Sequence, residues 1–235
     1  GYPTRLEVEK YEKQDARKLM ELDIDRPVLL FVGGSTGARS INYALLKSLP
    51  DLLERYQVIH LSGERDWELV DSANRLIHGD TSINLPEDFQ FLQPHPLSNN
   101  YHAYAYLHEE MAAALTSADL VISRAGASCL GEYPLFGLPA ILVPYPYAWR
   151  YQKVNSDYLV GHHAAILLRD DLLESQLLDQ IAQIFDQPEK LQIMKNQMQK
   201  LYRPNVARNI ARLITNLATN HTDLPPEYGS EEKTR

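Results

Sequence analysis

The segment from Val121 to Asn155 constrains the fold of this chain more than any other part of the sequence. It contains a short apolar run, a turn of small residues, a stretch with one glutamate, a second apolar run, and a loop rich in aromatic and amide side chains. This order is typical of strand, loop, helix, strand and loop, with polar groups placed where strands end. Ligands of open α/β sheets bind beyond the carboxyl ends of the strands. The segment therefore predicts half of a ligand pocket.

The same alternation extends over most of the chain. The apolar run Val28–Val32 is typical of a parallel strand covered on both faces, and GGSTG separates it from a helix that begins near Ala38. After Asp170 the pattern becomes helical. Further strands are predicted near residues 56–61, 101–107, 120–122, 140–143 and 164–168. We therefore predict an α/β fold with a doubly wound parallel sheet.

We expect one domain over residues 26–218, after a leading segment at 1–25. The tail at 219–235 has few apolar residues, so we expect it to be disordered. No apolar run reaches the ~20 residues that a membrane-spanning helix needs. The net charge of -8 argues against a nucleic-acid partner. A single cysteine excludes an intrachain disulfide and fits a reducing compartment.

Two turns of small residues follow strands of the predicted sheet. GGSTG, at Gly33–Gly37, lets the backbone approach a ligand, and the helix start behind it favours phosphate; a tight strand-to-helix turn is the alternative. SRAGAS, at Ser123–Ser128, is a second turn of this kind between a predicted strand and a predicted helix. Arg124 pairs either with an anion or with a surface carboxylate. For Cys129, a packing role is favoured over a reactive thiolate, since the sequence places no His or Asn beside it.

Glu132 has two interpretations that the spacing does not separate. A carboxylate near a helix start suits the vicinal hydroxyls of a ribose, but it is also favoured there by the helix dipole. Gln152 and Asn155 follow an aromatic loop that suits either a sugar or a protein contact. The histidines show no metal-ligand spacing, and no Asp-x-Asp pair stands out as a site for a sugar-nucleotide metal, so we expect neither a metal nor another cofactor.

Taken together, GGSTGARSIN, SRAGASCLGE, FGLPAILVPYP and YQKVN resemble the carboxy-terminal half of MurG-type N-acetylglucosaminyltransferases, over residues 1 to about 217. The resemblance implies a Rossmann-like domain of a GT-B glycosyltransferase. It also implies inverting transfer of N-acetylglucosamine from UDP-N-acetylglucosamine to lipid I, forming lipid II for peptidoglycan at the cytoplasmic membrane face.

The resemblance also implies roles for individual residues. Ser35, with the backbone of Gly33 and Gly34, would face the diphosphate, and Glu132 would hold the ribose hydroxyls. The other implied contacts are Arg5 near the phosphates, the backbone around Leu107 and His108 at the uracil, backbone groups of Ala127, Ser128 and Cys129 at phosphate and sugar, Gln152 and Asn155 at the sugar, and Arg124 within the same site.

The amino-terminal half of that family, which would hold the acceptor site, the base and a membrane-contacting patch, has no counterpart in this sequence. GYPTR at the start matches the family's interdomain connector. We therefore expect a chain that begins at the domain boundary, has no catalytic residue of its own and binds the donor without turning it over. The alternatives are the donor-binding subunit of a split transferase with a separate membrane subunit, and a non-catalytic sugar-nucleotide sensor.

Overall fold

The computed structural model describes residues 2–4, 11–34, 36–147 and 149–218; for residues 149 and 150 it describes the backbone alone. The predictions for Arg5, Ser35 and the 219–235 tail therefore concern residues outside the described part of the chain.

The centre of the described structure is a six-stranded parallel sheet with the order β3-β2-β1-β4-β5-β6. The chain moves outward from β1 to β3 and then returns to place β4 beside β1. The topological switch point therefore lies between β1 and β4. The strands are β1 (Val28–Val32), β2 (Gln57–Leu61), β3 (Tyr101–Tyr104), β4 (Leu120–Ser123), β5 (Ala140–Leu142) and β6 (Ala165–Leu167).

Helices cover both faces of this sheet, as the alternating pattern predicts. Within the described residues they are α1 (Lys13–Leu19), α2 (Arg39–Arg55), α3 (Trp67–Ile77), α4 (Met111–Ser117), α5 (Cys129–Phe136), α6 (Trp149–Gly161), α7 (Leu173–Phe185), α8 (Pro188–Lys200) and α9 (Val206–Ala218). None of the helices in this part of the chain combines the length and the apolar composition needed to cross a bilayer.

Strand side chains alternate between two hydrophobic layers. Leu29 and Phe31 of β1 join the layer formed with α2, α3 and α7, whereas Val28 and Leu30 join the layer formed with α1, α4, α5 and α8. All four are fully buried. Burial on both faces explains why β1 is a continuous apolar run rather than an alternating one.

Helix α1 packs into the same domain as the sheet. Ala16 is fully buried beside β1 residues, and Arg17 Nη2 donates to Asp119 Oδ2 at 2.7 Å. The same carboxylate oxygen accepts the Val28 N–H at 2.9 Å, which fixes α1 to the start of β1. The predicted domain limits at residues 25 and 218 stay predictions.

Strand β3 is shorter than its sequence indicates. The pattern predicts a strand to residue 107, but β3 ends at Tyr104. Its partner strand turns away at Gly63, where φ is 77°, and the last bonds between the two segments are from Ser62 N to Tyr104 O and from Gly63 N to Ala105 O. Beyond that turn the β3 segment has no neighbouring strand to pair with on this side.

Candidate functional site

The structure brings the two predicted turns together at the switch point of the sheet. β1 and β4 are paired in parallel with Val32 opposite Ser123, so Gly33 and Arg124 continue from the same edge of the sheet. Crevices at such points are the usual ligand sites of doubly wound folds. The candidate site is therefore the crevice bordered by the loops that follow β1 and β4.

The first turn contains glycines with different functions. Gly33 is buried, and a Cβ there would lie 2.8 Å from both Ala38 N and Ser62 O. Gly34 is exposed, has a φ of 74°, and a Cβ on it would meet no heavy atom within 4 Å. Gly33 is thus required by the packing of the turn, whereas Gly34 leaves exposed backbone at the crevice.

The second turn offers backbone donors beside the start of α5. Among the described residues, neither the Ala127 N–H nor the Ser128 N–H donates a hydrogen bond, and both residues are exposed. No side chain caps the helix at Ser128. Unpaired N–H groups and the positive end of the helix dipole favour an anion at this position.

Cys129 differs from Ala127 and Ser128, the two residues before it in this turn. Its N–H donates to Gly126 O at 3.1 Å, so this backbone donor is used within the turn. Its side chain is 1% exposed, and burial, with a contribution from the charge of Glu132, raises the pKa of the thiol to about 12. The side chain therefore packs as a neutral thiol, as the favoured interpretation of the sequence had it, and is not an activated nucleophile.

Glu132 lies in the first turn of α5 and is half-buried. Its N–H donates to Ser128 O at 2.9 Å, which places it one helical turn, about 6 Å, beyond the unpaired donors. The carboxylate is therefore on the same element as the predicted anion position and next to it along the helix.

Gln152 and Asn155 lie three residues apart on α6, and each amide is fixed at one end by the protein. Gln152 Oε1 accepts the Tyr145 N–H at 2.8 Å. Asn155 Nδ2 donates to Ala125 O at 2.9 Å. Hydrogen bonds to backbone groups of known polarity assign both amide orientations, so Gln152 keeps its NH2 and Asn155 keeps its carbonyl oxygen for a ligand.

Arg124 is held by protein groups. Its side chain is 13% exposed, Nη1 donates to Asp170 Oδ1 at 2.5 Å and to Val143 O at 3.1 Å, and Nη2 donates to Ser40 Oγ at 2.7 Å. Its guanidinium also lies over the Tyr145 ring, 5.2 Å from the centroid. Of the two partners the sequence left open, the structure pairs Arg124 with a carboxylate, and that carboxylate is largely buried.

Leu107 and His108 lie in the loop after β3, at the same edge of the sheet but two strands away from β1. Leu107 is buried, while the exposed His108 ring packs against Tyr106 with centroids 4.7 Å apart.

The first described residues of the chain contact α5. A Cβ on Gly131 in α5 would lie 2.7 Å from Tyr2 O. The segment 2–4 therefore runs directly along α5, which is the helix that carries Glu132.

Asp170 and Ser40 were missed as site residues by the sequence analysis. Asp170 follows the end of β6, and Ser40 lies in the first turn of α2. The sequence did contain a signal for Asp170, because it follows the end of a predicted strand, as Arg124 does. However, a lone aspartate before a helical region is also common at an ordinary helix start, so its position alone did not indicate a site residue.

A large groove in the described part of the chain lies away from this crevice. It measures about 1010 Å³ and runs between the edge strand β6 and the start of α8, lined by residues such as His163, Ile166 and Glu189. None of the predicted site residues borders it, so we do not assign the candidate site to this groove.

Comparison with known proteins gives the family of this fold. The glycosyltransferase family 28 C-terminal domain matches residues 28–210. A UDP-N-acetylglucosamine–N-acetylmuramyl-(pentapeptide) pyrophosphoryl-undecaprenol N-acetylglucosamine transferase of Roseiflexus sp. is 36% identical over 92% of this chain and 50% of its own length. The protein of the same name from Desulforamulus reducens is 35% identical over 91% and 55%. The crystal structure of Acinetobacter baumannii MurG superposes with a TM-score of 0.65 at 25% identity, over 89% of this chain and 54% of that one. The chain thus spans about half the length of these relatives.

Proposed function

Since the chain belongs to the glycosyltransferase family 28 C-terminal domain family, we propose that it is the donor-binding half of a MurG-type N-acetylglucosaminyltransferase. In this proposal it binds UDP-N-acetylglucosamine and contributes to inverting transfer of the sugar to lipid I, which yields lipid II for peptidoglycan. The observation that carries the proposal is the meeting of the two turns at one switch point, with unpaired N–H groups at Ala127 and Ser128 and with Glu132 and two oriented amides on the helices that follow.

The diphosphate would lie against the second turn. The free N–H groups of Ala127 and Ser128, the start of α5 and the exposed backbone at Gly34 provide donors and space for it. Charge accumulates on the UDP leaving group as the bond to the sugar breaks, so fixed donors there would stabilise the transition state. Ser35 and Arg5, which lie outside the described residues, would also contact the diphosphate in this proposal.

The nucleoside would extend along α5 and toward β3. Glu132 lies about one helical turn from the phosphate donors, a spacing that suits a ribose attached to the diphosphate. Its carboxylate would accept hydrogen bonds from the two ribose hydroxyls. The backbone around Leu107 and His108 would frame the uracil.

The sugar would be bound by side chains of α6. Gln152 presents a donor and Asn155 an acceptor, because their opposite ends are bonded to Tyr145 N and Ala125 O. Such a pair discriminates among hydroxyl patterns when both groups are desolvated by the sugar.

Acceptor chemistry belongs to the rest of the enzyme in this proposal. The curated relatives are about twice as long as the aligned region, so their remaining half would hold lipid I, the base and the membrane contact. The complete enzyme would then act at the cytoplasmic face of the membrane as a peripheral protein.

Calorimetric titration of this chain and of Glu132→Ala tests the site assignment. With UDP, we expect Glu132→Ala to bind about 10- to 100-fold more weakly, because it loses charged hydrogen bonds to the ribose. With 2′-deoxy-UDP, the parent should already lack one of these bonds, so the substitution should cost less. UDP-glucose titrated beside UDP-N-acetylglucosamine reports the sugar preference of the parent.

Glu189→Ala is the matched control. Glu189 is also a first-turn glutamate, on α8, but it is exposed, borders the groove beside β6 and should leave all affinities unchanged. If Glu132→Ala binds UDP as tightly as the parent, Glu132 is not the ribose ligand. If the parent binds neither UDP nor UDP-N-acetylglucosamine, the proposed function fails.

A further inference from the structure

A clamp formed by Asp170, Arg124 and Ser40 joins three loops at the carboxyl edge of the sheet. Asp170 Oδ1 accepts from Arg124 Nη1 at 2.5 Å and from Ser40 Oγ at 2.6 Å. Arg124 Nη2 donates to the same Ser40 Oγ at 2.7 Å, which closes the triangle. The clamp therefore connects the end of β6, the turn after β4 and the first turn of α2.

The clamp continues from Arg124 into the loop after β5. Arg124 Nη1 donates to Val143 O at 3.1 Å, and the guanidinium lies 5.2 Å from the centroid of the Tyr145 ring. Tyr145 in turn donates its N–H to Gln152 Oε1 at 2.8 Å. A continuous set of contacts thus leads from Asp170 to the amide proposed to read the sugar.

Burial makes the carboxylate necessary for this arrangement. The Arg124 side chain is 13% exposed and that of Asp170 is 21% exposed, so the ion pair is largely removed from water. An arginine that loses its carboxylate partner in such a place retains an uncompensated charge, and its geometry is no longer fixed. Without Asp170, Arg124 would leave Val143 O and Tyr145, and the orientation of Gln152 would be lost.

We propose that Asp170 is a positioning residue for the donor sugar: it fixes Arg124, and thereby the 143–145 loop and Gln152. The inference rests on the proposed function, since it assumes that Gln152 contacts the sugar. It adds a residue that touches no part of the donor yet determines how the sugar end is recognised. Asn155 is anchored separately, through Ala125 O, and is expected to keep its orientation.

The test compares two ligands in a double-mutant cycle. UDP-N-acetylglucosamine and UDP are titrated by calorimetry into the parent chain, Asp170→Asn, Gln152→Ala and the double variant. We expect Asp170→Asn to weaken UDP-N-acetylglucosamine binding about tenfold and to leave UDP binding within about twofold. The double variant should bind UDP-N-acetylglucosamine no more weakly than Gln152→Ala alone, because both changes act through the same amide.

Asp171→Asn is the matched control. Asp171 is the adjacent carboxylate, but it pairs with Arg169 in an exposed ion pair and should not affect either ligand. If circular dichroism shows that Asp170→Asn is unfolded, Ser40→Ala is used instead. Ser40→Ala removes the hydrogen bond from Ser40 Oγ to Asp170 Oδ1, so we expect a smaller loss of affinity that is again confined to UDP-N-acetylglucosamine.

Four results would overturn the inference: UDP-N-acetylglucosamine binding by Asp170→Asn that matches the parent, equal losses for both ligands, additive losses in the double variant, or tighter UDP binding by Asp170→Asn. The last would mean that Arg124, once released, binds the diphosphate. A parent that binds UDP-N-acetylglucosamine and an Asp170→Asn variant that matches it would reject the inference alone. A parent that binds neither ligand would reject the proposed function and the inference with it.

Discussion

Gly63 and Gly34 have nearly the same positive φ angle but serve different purposes. Their φ angles are 77° and 74°. A Cβ on Gly63 would lie 2.3 Å from Gly37 N, whereas a Cβ on Gly34 would meet nothing within 4 Å. Gly63 therefore permits the loops after β1 and β2 to touch backbone to backbone, while Gly34 keeps the crevice open.

Alanine at these two positions should separate backbone strain from steric overlap. Gly34→Ala should lower the free energy of unfolding by about 1 kcal/mol, the cost of a left-handed alanine. Gly63→Ala should lower it by about 3 kcal/mol or more, because the strain of a positive φ is there joined by displacement of the Gly37 backbone. Urea unfolding followed by circular dichroism measures both values. Equal losses would show that the contact between the two loops is not rigid.

A buried polar network connects α2, β2 and β3 beneath those loops. Asn42 Nδ2 donates to Ser62 O at 3.0 Å and to Asp66 Oδ2 at 2.9 Å, so its Oδ1 must accept from His60 Nε2 at 3.0 Å. His60 Nδ1 then accepts from the Tyr101 hydroxyl at 2.8 Å. The imidazole is therefore neutral with its proton on Nε2, and the three elements are fixed in register around it.

This network predicts a specific dependence of stability on pH. Burial lowers the pKa of His60 to about 3, whereas a histidine in the unfolded chain titrates near about 6.5. As the pH falls below about 6.5, the unfolded state gains a proton that the folded state does not bind. The free energy of unfolding should then decrease by up to about 1.4 kcal/mol per pH unit until the folded pKa is reached.

His60→Gln removes that titration. Its stability, measured by urea unfolding between about pH 6.5 and 5 where histidines dominate, should decline less steeply with falling pH than that of the parent, even if the variant is less stable throughout. His162→Gln, in which an exposed imidazole on the surface is replaced, is the control variant. The same slope in His60→Gln and the parent would mean that His60 is protonated in the folded protein.

The local signals in the sequence predicted the strands and the two turns that border the candidate site, but not the contacts between distant residues. Apolar runs and small-residue turns sufficed to locate β1, β4 and the two turns that meet between them, because each signal lies within a few residues. The Arg124–Asp170 pair joins residues 46 positions apart, and His60 has its partners on other elements. Such pairings depend on how elements pack, which no single stretch of sequence encodes.

The described residues as a whole form one wall of the proposed active site. In our proposal the groups that border the crevice, including Ala127, Ser128, Glu132 and Gln152, all bind the donor. Transfer of the sugar also needs an acceptor hydroxyl and a base held at the anomeric carbon. In our proposal those groups belong to the half of the relatives that this chain does not span.

The chain alone should therefore bind UDP-N-acetylglucosamine without transferring the sugar to a lipid I analogue. Loss of acceptor positioning removes an effective concentration that reaches about 10⁵ M or more in enzymes, so transfer should be at least about 10⁴-fold slower than in a complete relative. Mass spectrometry of the lipid product measures this, with the full-length Roseiflexus transferase as positive control. Transfer by the chain alone that disappears in Glu132→Ala would place the acceptor site and the base within this chain. Transfer that persists in Glu132→Ala would instead indicate a contaminating enzyme, and repeating the assay on protein from a second expression host would separate the two cases.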